Sequence, residues 1–116
     1  MKTLIALLGS LLLMSTTVTM ADDASTAVHA GMHRYVVERT FPAGALAALD
    51  AALKAKVNAN NAKFRVRWVM SYANAAKTKT YCIYEAPSET AIRKAAAANA
   101  LPVDSITEVP VTLLPK

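Results

Sequence analysis

The sequence predicts an α+β fold of the ferredoxin-like type, in which a four-stranded antiparallel sheet carries two helices on one face. Two observations lead to this fold. Segments rich in β-branched and aromatic residues alternate with segments whose apolar residues recur every three or four positions, in the order strand, helix, strand, strand, helix, strand. The two middle strands are separated by so few residues that we expect them to form a hairpin.

The first half of the predicted domain contains one strand and one helix. Residues 34–41 (RYVVERTF) are typical of a strand and stop at Pro42. Residues 45–58 are predicted to be helical because their large apolar residues share one face. Those residues are Leu46, Leu49, Leu53 and Val57.

The second half contains a hairpin, a helix and a last strand. Residues 64–72 alternate between large and polar side chains, which predicts a half-buried strand. The side chains expected on one side of it are those of Phe64, Val66, Trp68, Met70 and Tyr72. A strand over 78–85, a helix with Ser88 as its N-cap and a strand over 106–114 follow. Pro110 cannot donate to a ladder, so the last strand is expected at a sheet edge or with a bulge.

The first 21 residues have the three parts of a secretory signal peptide: a basic start, an apolar run over 4–14 and small residues ending at Ala21. A second possible cleavage site follows Ala30. Residues 22–33 lack periodicity and are expected to form a flexible tether before a folded domain over 34–116. The apolar run is shorter than the roughly 20 residues that span a bilayer. We therefore expect a periplasmic or secreted protein with no stable membrane insertion after cleavage.

The net charge and the single cysteine indicate which binding partners and which covalent links to expect. The formal net charge is +5, and losing Lys2 with the signal peptide makes it +4, spread along the chain. Without a clustered basic stripe, we expect no nucleic-acid binding. Cys82 is the only cysteine, so no intrachain disulfide can form and stability must come from packing. We expect a homodimer, because an open sheet face with apolar residues usually meets another surface.

Several segments together resemble a family of small ferredoxin-like bacterial proteins of unknown function, one branch of which is a dimeric nickel-binding protein. The segments are YVVERTFP at 35–42, RWVMSY at 67–72 and KTKTYCIYEAP at 77–87. The similarity covers about residues 34–113. It implies the ferredoxin-like fold, a homodimer and binding of nickel or another divalent transition metal. At two positions where relatives commonly carry histidine, this chain has Met70 and Ala95.

The candidate metal ligands are Cys82, Glu38 and Glu85, because divalent transition metals accept thiolate and carboxylate ligands. For Cys82 the alternatives are a thiol that cross-links two subunits and a small buried residue of a central strand. Glu38 and its neighbour Arg39 point to opposite sheet faces, and Glu38 is alternatively an exposed ion-pair partner. The histidines ahead of the domain are interpreted as solvated, with a weak metal site as the alternative.

The aromatic residues of the hairpin favour an alternative function, a non-enzymatic module that binds a small molecule or a protein on the open sheet face of a dimer. Its ligand-binding residues are Glu38, Trp68, Tyr72 and Tyr81, with Trp68 and Tyr72 on the same side of their strand. Catalysis is the least favoured function, since it rests on fold analogy alone. The sequence has no Ser-His-Asp set, glycine-rich phosphate loop or HExxH motif.

Overall fold

The computed structural model describes residues 28–116, so the predicted signal peptide and the first half of the predicted tether, residues 22–27, lie outside the described residues. The elements are β1 (His33–Thr40), a 3-10 helix (Ala45–Ala48), α1 (Ala51–Ala62), β2 (Arg67–Ala73), β3 (Lys79–Ala86), α2 (Glu89–Ala98) and β4 (Ser105–Glu108). The strands form one antiparallel sheet in the order β2-β3-β1-β4. The predicted ferredoxin-like fold is confirmed. Between residues 28 and 116, no helix is long and apolar enough to cross a membrane.

The two faces of the sheet differ in composition. The inner face, which the helices cover, carries the buried side chains of Tyr35, Val37, Arg39, Thr80, Cys82, Tyr84 and Ala86. The open face carries three rows of residues that cross β2, β3 and β1. The rows are Arg67, Glu85 and Arg34; Met70, Ile83 and Val36; and Tyr72, Tyr81 and Glu38.

A β-bulge decides which residues of β2 lie on each face. Trp68 stands opposite an inner-face tyrosine, whereas Met70 stands opposite Ile83 on the open face, with Val69 as the extra residue between them. One additional residue inverts the alternation of the strand. The prediction that Trp68, Met70 and Tyr72 share one side is therefore wrong: Trp68 faces the helices, and the other two lie on the open face.

The first α-helix begins later than its apolar pattern predicts. Asp50 is its N-cap, and the Asp50 carboxylate accepts a hydrogen bond from the Leu53 N–H at 2.8 Å. Leu46 and Leu49 consequently belong to the 3-10 segment and the residue that follows it rather than to α1. The buried residues of α1 are Val57 and Asn61. An alanine-rich helix with so few large inward residues cannot fill the space above the sheet.

The two ends of the domain also differ from expectation. β1 begins at His33, one residue before the predicted start of the strand. β4 ends at Glu108, before Pro110, and is much shorter than the predicted strand. Its position at the edge of the sheet agrees with the expectation drawn from the proline.

The second helix has well-defined ends. The Ser88 hydroxyl accepts from the Ala91 N–H at 3.1 Å, so the predicted N-cap is confirmed. At the other end, the Leu101 N–H donates to Ala96 and the Ala100 N–H donates to Ala97, which is the Schellman pattern. Ala100 has φ +53°, the left-handed conformation that glycine adopts without a steric penalty.

We predict that Ala100→Gly raises the free energy of unfolding by about 1 kcal/mol, because it removes the Cβ clash of the left-handed conformation. Urea unfolding followed by circular dichroism measures the change. The matched control is Ala55→Gly, at an exposed position in the interior of α1, which should lower the free energy of unfolding by about 0.5–1 kcal/mol. Destabilisation of similar size by both substitutions would contradict this assignment.

Candidate functional site

A buried carboxylate joins the three long strands on the open face. Glu85 is only 1% exposed, and its cross-strand neighbours are Arg34 and Arg67. Arg34 Nη2 lies 3.3 Å from Glu85 Oε1, and Arg67 Nη1 lies 3.3 Å from Oε2. His29 Nδ1 lies 3.1 Å from the same Oε2. We call these four residues the Glu85 cluster; it attaches the segment before β1 to the sheet.

The cations of the Glu85 cluster keep its carboxylate ionised. Burial by itself raises the pKa of the Glu85 carboxyl, but hydrogen bonds from His29 and Arg34 and the charge of Arg67 outweigh burial. The pKa of Glu85 therefore lies below its ordinary value. A carboxyl with a lowered pKa adds stability above its unfolded-state pKa, and that stability is lost as the pH falls through the folded-state pKa.

Both histidines of the chain contact a carboxylate through Nδ1. His33 Nδ1 lies 2.9 Å from Glu108 Oε1 across the sheet edge, in a pair that is about half exposed. The His29 side chain is 70% exposed although its partner Glu85 is buried. Within residues 28–116, no three His, Cys, Asp or Glu residues are grouped so that they could hold a metal ion. The His29–Glu85 and His33–Glu108 pairs are therefore separate and do not form one cluster of metal-ligating side chains.

The structure does not bring the three predicted metal ligands together. Cys82 lies on the inner face, 6% exposed, with its thiol 3.4 Å from the Thr80 hydroxyl. Glu38 and Glu85 lie on the open face, in different rows. The Glu38 carboxylate accepts from the Ser105 hydroxyl at 2.6 Å and lies 3.9 Å from Lys79 Nζ.

The predicted ligand-binding residues divide between the two faces. Tyr72 and Tyr81 stand opposite each other on the open face, and Glu38 stands opposite Tyr81. The tyrosines are 63% and 43% exposed, respectively. Trp68 lies on the inner face instead, where its indole N–H donates to the Ser71 hydroxyl at 2.8 Å.

A cavity of about 290 Å³ lies between the inner face and the α1 side of the domain. It is lined by Arg39, Phe41, Leu46, Leu49, Lys54, Val57, Trp68, Ser71, Ala73, Thr80, Cys82, Tyr84 and Leu101. Sequence reasoning missed this cavity and the buried Arg39 in it. The available signal was the alternation of β1: once Glu38 lies on the open face, Arg39 must lie under the helices.

Comparison with known proteins agrees with the architecture. The family model described as nickel responsive protein SCO4226-like matches residues 35–109. The chain belongs to this family. The crystal structure of SCO4226 from Streptomyces coelicolor A3(2) has the same fold, with a TM-score of 0.59 at 20% sequence identity. The match covers 69% of this chain and 99% of that chain. No curated protein sequence matches the chain.

Family membership bears on the two positions where relatives of this kind commonly carry histidine. Met70 lies on the open face, 43% exposed, and Ala95 lies on α2 with 2% exposure. The sheet separates the two positions.

We predict that Glu85→Gln lowers the free energy of unfolding at neutral pH by about 2–3 kcal/mol, because two arginines lose the charge that compensates them. The difference from the unsubstituted protein should shrink as the pH falls below about 4.3, where the unfolded-state carboxyl of the unsubstituted protein is protonated. Urea unfolding at pH 7 and pH 3 measures both effects.

Glu89→Gln is the matched control, because Glu89 is an exposed carboxylate paired with Arg93 four residues away on α2. Its effect should be about 0.5 kcal/mol or less. Equal effects of the two substitutions at pH 7, or an effect of Glu85→Gln that does not depend on pH, would contradict the assigned role of the Glu85 cluster.

Proposed function

We propose that the protein is a small exported nickel-binding or nickel-buffering protein. The family is described as nickel responsive. The observation that carries the proposal is the pairing of each histidine with a carboxylate through Nδ1, while at least half of each histidine side chain remains exposed. Imidazole nitrogen is a favoured ligand of Ni²⁺.

A carboxylate on Nδ1 prepares an imidazole for metal binding. It fixes the tautomer and the ring orientation, and it makes Nε2 a more basic ligand. Glu85 and Glu108 are the orienting carboxylates in this proposal, and His29 and His33 are the ligands. Glu85 is poorly suited to direct coordination because two arginines already occupy its oxygens.

Cys82 and Glu38 have no part in the proposed nickel site. The Cys82 thiol is buried on the far side of the sheet from the Glu85 cluster. Two isolated imidazoles are a small donor set, so water or a second copy of the chain supplies the remaining ligands. Binding should weaken as the pH falls, because only the neutral imidazole coordinates a metal.

The test is calorimetric titration of the natural mature protein with Ni²⁺, purified without an affinity tag from the exported fraction. Its intact mass identifies the cleavage site. We expect a Kd below about 100 µM and at least about tenfold weaker binding in His33→Ala, since an imidazole ligand is lost. His29→Ala should act similarly if cleavage leaves His29 in place.

The control for the titration is Glu89→Gln, which removes an exposed carboxylate on α2 that is paired with Arg93 and not with a histidine. It should bind nickel as the unsubstituted protein does. Absence of nickel binding, or unchanged binding after both histidines are replaced, would overturn the proposal. Recovery of the protein only from the cytoplasm with residues 1–21 intact would overturn its exported part.

We further propose that two copies associate over the open face. An apolar patch lies on the open face, which the helices do not cover. It consists of the row of Met70, Ile83 and Val36 together with the adjacent Tyr72 and Tyr81. Arg34 and Arg67 lie at one end of this patch and Glu38 at the other. A two-fold axis running across the strands would place the arginine end of one copy against the Glu38 end of the other.

We predict that Tyr72→Glu converts the dimer to a monomer, because it places a desolvated charge in the interface. Sedimentation velocity measures the oligomeric state. The matched control is Leu113→Glu, a similarly exposed apolar residue outside the sheet, which should leave the dimer intact. A protein that is monomeric at about 100 µM before any substitution would contradict the proposal, since stable dimers of this kind associate more tightly.

A further inference from the structure

We propose that the cavity under α1 binds a small monocarboxylate with an apolar body, and that Arg39 is the residue that holds the carboxylate. This site is distinct from the proposed nickel-binding residues. It lies on the inner face of the sheet, whereas the Glu85 cluster lies on the open face.

Arg39 is a buried cation without a carboxylate partner among the described residues. It is 3% exposed and forms no ion pair there. Its Nη1 donates to the Pro102 carbonyl at 2.5 Å and its Nη2 to the Tyr84 hydroxyl at 3.3 Å. Nε has no hydrogen-bond partner. Hydrogen bonds from Lys79 and Thr40, and to a smaller extent the charge of Arg39, lower the pKa of the Asp104 carboxyl, but that carboxylate forms no ion pair with Arg39.

An unpaired buried guanidinium is costly, and the cost falls when an anion is bound beside it. Arginine has five N–H donors, and here Nη1 and Nη2 each use one of their two, so the second N–H of each terminal nitrogen is left for a carboxylate in the cavity. The Tyr84 ring, 5.6 Å below the guanidinium carbon, holds the Arg39 head group in place.

The rest of the cavity selects an apolar anion. No aspartate or glutamate among the described residues lines it, and the second charged residue on its wall is Lys54. Most of the remaining wall is aliphatic or aromatic, including Trp68. Lys54, Ser71 and Ala73 are exposed, so they form the mouth. The volume is near the lower end of about 300–1,000 Å³ for ligand pockets, which suits a single-ring or short branched acid.

The cavity follows from the composition of the sequence. Large side chains are scarce on α1, so the helix does not pack down onto the part of the inner face that carries Cys82 and Trp68. A phosphate or sulfate would leave this apolar wall without contacts. The shape and the single buried cation therefore favour a carboxylate attached to a hydrocarbon over an inorganic anion.

Trp68 is the only tryptophan of the chain, so its fluorescence reports on this cavity. The experiment titrates the natural mature protein, in the presence of a chelator, with benzoate, with the neutral isostere benzamide and with inorganic phosphate. We expect benzoate to change the Trp68 emission with a Kd on the order of 0.1–1 mM. Benzamide and phosphate should each bind at least about tenfold more weakly, because one lacks the charge and the other the apolar body.

Two variants locate the site. Arg39→Met keeps an unbranched apolar stem but removes the cation, and should weaken benzoate binding at least about tenfold while abolishing the preference over benzamide. Ala73→Leu narrows the mouth without altering Arg39 and should also weaken benzoate; it decides the question if Arg39→Met does not fold. Ala59→Leu, an exposed helix residue outside the cavity wall, should bind as the unsubstituted protein does.

Equal binding of benzoate and benzamide would overturn the proposal, as would phosphate binding as tightly as benzoate. So would the absence of any emission change up to about 10 mM benzoate, a concentration well above the expected Kd. Unchanged benzoate binding in a folded Arg39→Met protein, or in Ala73→Leu if Arg39→Met does not fold, would also overturn it. Because the chelator removes metal throughout, none of these outcomes depends on whether nickel binds.

Discussion

The extra residue in β2 determines what each side of the sheet can do. Without the bulge at Val69, strict alternation would put Trp68 and Tyr72 on the same face. With it, the indole lies under α1 and contributes to the cavity wall, while Met70 and Tyr72 extend the apolar patch of the open face. One irregularity of the backbone therefore separates two surfaces with different chemistry, a cavity beside a buried cation and an exposed apolar patch.

Two buried charges occupy these opposite sides, in very different surroundings. On the open face, Glu85 is matched by Arg34, Arg67 and His29, so its burial is compensated and it joins three strands. On the inner face, Arg39 has a carbonyl, a hydroxyl and an aromatic ring, but no ion-paired carboxylate within residues 28–116. Satisfied buried ion clusters typically serve structure, whereas an uncompensated buried charge beside a cavity indicates a site for a ligand.

The fold could be predicted from the sequence alone, because independent patterns indicate the same elements. These patterns are the apolar periodicity, the Ser88 cap and the edge-strand proline. The late start of α1 was harder to predict from the sequence. The apolar spacing runs continuously from Leu46 to Val57, and only the cap at Asp50 divides it. The bulge was missed because its signal is weak: the apolar Val69 interrupts the polar positions of the strand, but one apolar residue does not by itself indicate an extra residue in the ladder. The metal ligands suggested by residue type do not converge for a simpler reason: Cys82 and Glu85 are three positions apart on β3, so alternation places them on opposite faces of the sheet.

Nuclear Overhauser spectroscopy of the mature protein tests most directly whether the bulge assigns the two faces. We expect cross-peaks from the Trp68 indole to the Tyr84 ring, and from the Tyr72 ring to the Tyr81 ring, since these residues are cross-strand partners. Cross-peaks from the Trp68 indole to Ile83, an open-face residue, would mean that β2 is regular. That result would contradict the separation of the cavity from the open face.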